Sequence, residues 1–256
     1  DPMGDSTCVA CGECVQACPT GALMPASVVD KDGIGYSSVD EKVNSVCPYC
    51  GVGCQIEYNV KDNKIKYVNG IDGPANKNRL CVKGRFGFDY VNNPERLTKP
   101  LIRIKGKEKD LHPSINFSNM HEYFREATWD EALDYAANGF IELKNKRNGN
   151  SNLAGFGSAK CSNEEAYLFQ KLIRTGFNTN NVDHCTRLCH ASSVAALLET
   201  IGSGAVTAPF YEVEHSEVII VIGANPTENH PVAATFFKNA AKKGAKLIVM
   251  DPRGHA

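Results

Sequence analysis

From Thr128 onward the apolar positions fall at helical and strand intervals. Leu133, Ala136, Ala137, Phe140, Ile141 and Leu143 share one helical face, and Thr128-x-x-Glu131 ahead of them is a capping box. A second box, Ser162-x-x-Glu165, opens a predicted helix carrying Ala166, Leu168, Phe169, Leu172 and Ile173. A third helix is predicted from about Ala191 to Ile201. Leu153–Gly157 is a short strand candidate, and the apolar runs Glu217–Ile222 and Lys246–Met250 predict two more strands around a helix over Pro231–Lys243. Strand, helix and strand with a short crossover predict a parallel sheet in an α/β domain.

The first hundred residues follow another pattern. Gln55–Val60 and Lys64–Val68 alternate apolar and polar positions around Asp62-Asn63, which predicts a hairpin. Residues 29–45 are polar and glycine-containing and are expected to be a linker. Residues 103–127 show no clear period and are expected to be irregular.

Cysteine spacing adds the chemistry. Cys8, Cys11, Cys14 and Cys18, with Pro19 behind them, form C-x2-C-x2-C-x3-C-P. Thiolates suit soft iron, and this spacing wraps one loop around a 4Fe–4S cluster. In two-cluster ferredoxins the fourth cysteine of such a run serves the other cluster. Either this run holds one cluster alone, or Cys18 and the other three each need ligands from further upstream. Cys47, Cys50, Cys54 and Cys81 form C-x2-C-x3-C-x26-C, a second 4Fe–4S pattern closing over the hairpin. A zinc ribbon is the alternative, although it usually has two C-x2-C pairs. Lys83, two residues beyond Cys81, is a cation placed to stabilise a reduced cluster or to bridge it to a neighbouring cofactor.

Composition narrows the class. The chain has 256 residues, 42% hydrophobic and 22% charged, with a net charge of −1. Acidic and basic residues are interspersed, so no basic field points to nucleic acid. No run of 18 apolar residues predicts a membrane span, and no signal peptide is visible. Eight of the eleven cysteines stand at ligand spacings, which argues against disulfides and for a reducing compartment, the cytoplasm. The chain starts at Asp1 without Met, reaches its first cysteine within eight residues and stops soon after a predicted strand, so we expect a piece of a longer protein.

Two further features stand in the α/β half. Cys189-His190 opens the predicted helix at 191, where the helix dipole favours an anionic sulfur and histidine can trade a proton near neutrality. Cys161 and Cys185 are expected to be packed thiols. Gly223 and Asn225 fall at the carboxyl end of one predicted strand, and Asp251 and Arg253 at the end of the next, where α/β sheets hold nucleotides. Asp251 can accept from a purine or ribose edge, and Arg253 can pair with phosphate. No G-x-G-x-x-G is present, so a plain NAD fingerprint is absent.

The order C-x2-C-x3-C-x26-C-V-K-G-R, NPERLTKPL, SAKCSNEE, NNVDHCTRLCHASSV, GANPTENHP and DPR resembles the molybdopterin oxidoreductase family. Within it, the chain is most similar to the catalytic α subunit of molybdenum- or tungsten-dependent formate dehydrogenases, and its N-terminus resembles the extended α subunits of NAD-linked members. The resemblance implies a 4Fe–4S segment at 1–28, a linker at 29–45, a 4Fe–4S module at 46–102 and a partial α/β molybdopterin-binding domain at 103–256. It implies Cys189 as the ligand of a Mo or W centre carrying bis-molybdopterin guanine dinucleotide, His190 as the proton acceptor, and Lys83 as the residue between cluster and pterin. Lys160 and the Ser162-Asn163-Glu164 segment match a pterin-near loop. Gly223, Asn225, Pro226, Thr227 and His230 match the segment around one pterin, and Asp251 and Arg253 its guanine-side contacts. The implied activity is formate oxidation to carbon dioxide, with electrons leaving through the clusters to a flavin-containing, NAD-reducing subunit. Alternatives are a nitrate reductase of the same family, or a non-catalytic electron-transfer subunit like the large iron–sulfur subunit of respiratory complex I. The Cys189-His190 pair favours formate over both.

Overall fold

A computed structural model gives the structure of residues 5–29, 38–107, 109, 114–146 and 149–254. In chain order the strands and helices are α1 (Glu13–Ala17), β1 (Glu41–Val46), β2 (Gln55–Lys61), β3 (Lys64–Gly70), α2 (Val82–Phe86), β4 (Leu101–Arg103), β5 (Phe124–Glu126) and α3 (Trp129–Lys144). They continue as β6 (Gly155–Gly157), α4 (Asn163–Lys171), β7 (Val182–His184), α5 (Thr186–Cys189), α6 (Ala191–Ile201), β8 (Val218–Ile222), α7 (Pro226–Asn229), α8 (Pro231–Lys242) and β9 (Lys246–Met250). The chain divides into two units, residues 1–94 with 207–256, and residues 95–206.

In the first unit, β1, β2 and β3 form an antiparallel sheet in that order. The β2–β3 hairpin turns at Asp62 and Asn63, with φ of 52° and 55°. Both values are left-handed, as a two-residue turn between twisted strands requires, and Asp and Asn tolerate them. The expected linker is corrected at its end: residues 41–46 are strand β1, paired along β2 from Glu41↔Val60 to Val46↔Gln55. All six residues of β1 are exposed, so no hydrophobic alternation marks it in the sequence. Residues 30–37 of that expected linker lie outside the described residues.

Val52, Cys54, Ile56, Val68 and Leu80 form the core of this unit together with Val232 and Ala233 of α8. The same helix buries Phe236 and Ala240, one turn and two turns further along the same face. β8 and β9 pair in parallel from Val218↔Lys246 to Ile222↔Met250, with α8 as the crossover, as the apolar pattern predicts.

Asn76 holds the loop between β3 and α2. It is 0% exposed. Its Nδ2 donates to the carbonyls of Gln55, Ile71 and Arg79, each at 3.1 Å, and its Oδ1 accepts from Gln55 N at 3.1 Å. One side chain thus ties four backbone groups of β2 and the loop together.

In the second unit, β4 pairs with β5 antiparallel, which gives the expected irregular stretch two ordered ends. Residues 108 and 110–113 within that stretch lie outside the described residues. Ser162 and Glu165 close a complete capping box at α4: Glu165 N donates to Ser162 Oγ at 3.2 Å and Ser162 N to Glu165 Oε2 at 2.7 Å. At α3 only half of the expected box forms. Glu131 N donates to Thr128 Oγ1, but the Glu131 carboxylate pairs with Arg125 instead. The charged partner is the stronger donor, so it wins the carboxylate. β6 pairs with β7 in parallel, Gly155↔Val182 to Gly157↔His184.

Asn76→Ala removes four hydrogen bonds to half-buried backbone groups and leaves a void at a fully buried position. It should cost roughly 2–4 kcal/mol, read as a lower thermal unfolding midpoint, whereas Lys61→Ala on the exposed hairpin should move the midpoint little.

Candidate iron–sulfur and metal-binding sites

Cys47, Cys50, Cys54 and Cys81 come together although 26 residues separate the last two. Cys47, Cys50 and Cys54 lie in the connection between β1 and β2, and Cys47 N donates to Cys54 O at 2.9 Å to close that loop. Cys81 is the residue before α2. The four thiols ring a small void that Leu80, Gly84, Pro231 and Val232 help to line. Gly84 leaves room: a Cβ there would meet Cys47 Sγ at 3.4 Å.

The electrostatics of this ring fit a metal cluster. Burial, and then the neighbouring thiols of Cys47, Cys50 and Cys81, push the Cys54 thiol up to about 12. Cys47 is also raised, first by burial and then by Cys81 and Cys50, while Lys83 acts in the opposite direction. Burial and the neighbouring thiols favour the protonated form of Cys54 and Cys47, and a soft cation would take up the thiolate charge. Among the described residues no three His, Cys, Asp or Glu side chains gather as they would around a single metal ion.

The first set lies in an exposed loop around α1. Cys14 is within that helix and Cys18 ends it. The Cys18 sulfur lies 3.5 Å from Thr20 Oγ1 and accepts from Leu23 N at 3.4 Å. The Thr20 hydroxyl, followed by the Leu23 amide, lowers its thiol to about 7. Cys8 instead accepts from Ala10 N at 3.4 Å.

Lys83 leaves α2 toward the strand-end segment. Its Nζ donates to Glu228 O at 3.2 Å, within α7. That segment begins at Gly223, with φ of 60° and no atom within 4 Å of a Cβ built there, so the edge beyond β8 is open. Gly223 N donates to Met250 O at 2.9 Å and keeps the two strand ends together. Asn225 caps α7, Pro226 is its first residue, and the Thr227 hydroxyl donates to Asn225 Oδ1. His230 stands between α7 and α8. Beyond β9, Asp251 Oδ1 accepts from Arg253 N at 2.8 Å. These residues share the carboxyl edge of one parallel pair.

In the second unit the loops after β6 and β7 carry the remaining candidates. Lys160 N donates to Ser158 Oγ at 3.1 Å, and the Lys160 side chain is exposed. Cys189 differs from expectation in its setting. It closes the short helix α5, and His190, at φ −130°, breaks the chain before α6. The sulfur therefore stands at a junction of two helices, exposed, 3.9 Å from His190 Nε2. Cys161 and Cys185 are exposed thiols, which corrects the expectation that they pack: the Cys161 thiol donates to Ser158 O, and Cys185 lies 3.8 Å from His184 Nδ1. A cleft of about 590 Å³ between β6, β7 and α4 is lined by Phe156, Cys161, Arg174 and His184, but by neither Cys189 nor Lys160. At its edge, Thr186 N donates to His184 Nδ1 at 3.1 Å.

Sequence reasoning missed Arg85. It is 3% exposed, and its guanidinium joins the two cysteine sets through Cys11 O and Glu13. The signal available was its place in Cys81-Val-Lys-Gly-Arg85, one helical turn from a ligand cysteine.

Comparison with known proteins supplies the wider setting. The molybdopterin oxidoreductase profile matches residues 96–256, the molybdopterin oxidoreductase Fe4S4 domain matches 40–93, and a 4Fe-4S binding domain matches 5–24. A Bacillus subtilis protein named "Probable oxidoreductase YjgC" is 38% identical over 99% of this chain and 28% of its own length. Proteins from Staphylococcus haemolyticus and Staphylococcus aureus, each named "Putative formate dehydrogenase", are 35% identical over the same shares. The chain thus spans about 28% of the length of these curated relatives.

Cys54→Ala should remove one cluster's iron and one reduced-cluster EPR signal from the anaerobically purified protein. Unchanged iron content would show that the ring is not a ligand set.

Proposed function

We propose a formate-oxidising role on one premise: the chain belongs to the molybdopterin oxidoreductase family. The longer protein of which it forms a part oxidises formate to carbon dioxide in this reading. Its cofactors are two 4Fe–4S clusters and a molybdenum or tungsten centre with bis-molybdopterin guanine dinucleotide. When bound, the pterin metal supplies the two-electron chemistry and the clusters carry single electrons.

The observation that carries the reading is the Cys189-His190 pair, with sulfur and Nε2 3.9 Å apart at a helix junction. Cys189 Sγ is a soft ligand for the metal. His190 has a side-chain nitrogen beside that sulfur, placed to hold the substrate proton. An electron-transfer subunit without catalysis needs neither group.

The remaining residues bind and orient. Cys47, Cys50, Cys54 and Cys81 hold one cluster, and Cys8, Cys11, Cys14 and Cys18 supply thiolates for cluster binding at the N-terminus. Lys83 puts a cation between the first of these sites and the 223–230 segment, and its hydrogen bond to Glu228 O supports that role. Gly223, Asn225, Pro226, Thr227 and His230 line the open strand edge for a pterin, Asp251 and Arg253 its guanine side, and Lys160 a second approach. The acceptor is a flavin- and NAD-binding subunit in the cytoplasm. No helix among the described residues is long and apolar enough to cross a membrane.

Cys189→Ala in the full-length protein should abolish formate-dependent dye reduction while both cluster EPR signals persist. Retained turnover would remove Cys189 from the metal. Metal and pterin analysis of the wild type completes the test: iron and sulfide without molybdenum or tungsten would favour the electron-transfer reading.

A further inference from the structure

Arg85 is the one charged residue among those described that is buried, at 3% exposure. It sits on α2, four residues beyond Cys81, and reaches into the other cysteine loop. Nε donates to Cys11 O at 2.8 Å, Nη1 to Val68 O at 3.2 Å and Nη2 to Glu13 Oε1 at 2.6 Å. Glu13 Oε1 also accepts from Leu80 N at 2.9 Å, so the carboxylate is tied to the residue preceding Cys81. Gln16 adds a reciprocal pair with Gly70, Nε2 to O and N to Oε1, both 2.9 Å. Gly12 stays open for the guanidinium: at φ 71° a Cβ there would collide with the Arg85 stem and approach Phe86 Cζ to 2.8 Å.

We propose that Arg85 is a positioning residue shared by both iron–sulfur sites, which fixes the Cys11–Cys14 loop against Cys81 and, with Glu13, sets the reduction potentials of the two clusters together. The planar fork holds a loop carbonyl and a carboxylate at once, which a lysine cannot reproduce. Buried charge is weakly screened, so one guanidinium acts on both sites. A cation stabilises the added electron of a reduced cluster, and a carboxylate opposes it. The two partners therefore have opposite signs at the same place.

This inference rests on reading both cysteine sets as cluster ligands. The test is an EPR-monitored redox titration of the full-length, anaerobically purified protein, with iron counted on the same samples. Arg85→Gln should lower both potentials, by about tenfold in the reduction equilibrium, or ~59 mV for one electron. Glu13→Gln, whose side chain is 40% exposed, should raise both by less. Arg85→Lys should leave the potentials nearer the wild type than Arg85→Gln does, yet weaken the magnetic interaction between the reduced clusters. If Arg85→Gln loses a cluster, Glu13→Gln decides by the sign of its shift. Unmoved potentials, or shifts of one sign in both neutral variants, would overturn the inference with both clusters present. Wild-type protein with iron for a single cluster would overturn the cluster reading itself, and this inference with it.

Discussion

Four sulfur atoms share the apolar centre of the first unit, and the rest of that unit is arranged around keeping them there. A core position beside Ile56 and Val68 would ordinarily go to an aliphatic side chain. Here Cys54 takes it, with Cys47, Cys50 and Cys81 packed alongside. Burial raises the Cys47 and Cys54 thiols, and a soft cation makes the thiolate form the stable one. The ring is therefore both the hydrophobic core and the site, so metal loading and folding stabilise one another. The hairpin supplies a floor, the residue before α2 supplies the fourth thiol, and α8 closes the ring with Pro231 and Val232.

The second constraint is the polarity of parallel strands. β8 with β9, and β6 with β7, each end at loops that carry the candidate residues: Gly223 to His230 and Asp251 to Arg253 on one edge, Lys160 and Cys185 to Cys189 on the other. Carboxyl ends of parallel strands are where backbone turns away from the sheet and leaves room for a ligand. Short helices α5 and α7 both start there, so each loop presents amides and side chains without a long flexible arm.

Much of this was legible in the sequence because it is local or periodic. The hairpin at Asp62-Asn63, the helices at 191 and 231 and the strand at 246 each announce themselves within a dozen residues. Ligand spacing gave both cysteine sets for the same reason. The failures have a common cause, which is partnership over distance. β1 exists because β2 offers it hydrogen bonds, and its own residues are exposed and mixed. Glu131 left its capping box for Arg125. Cys161 and Cys185 look like filler by composition but face outward. Arg85 was invisible because Cys11 and Glu13 lie more than seventy residues away, and nothing local marks a buried cation.

Gly12 carries a consequence beyond its own loop. A residue in the N-terminal segment is held to glycine by an arginine stem from the next cysteine module, at a left-handed φ that already disfavours a side chain. The two modules look like interchangeable cassettes, each with its own cysteine signature. They are not interchangeable: a ferredoxin-type loop grafted from elsewhere would have to bring a glycine at this place, a carboxylate one residue later and an amide three beyond that. A graft that carries both modules together keeps the glycine, the carboxylate and the amide with the contacts they serve.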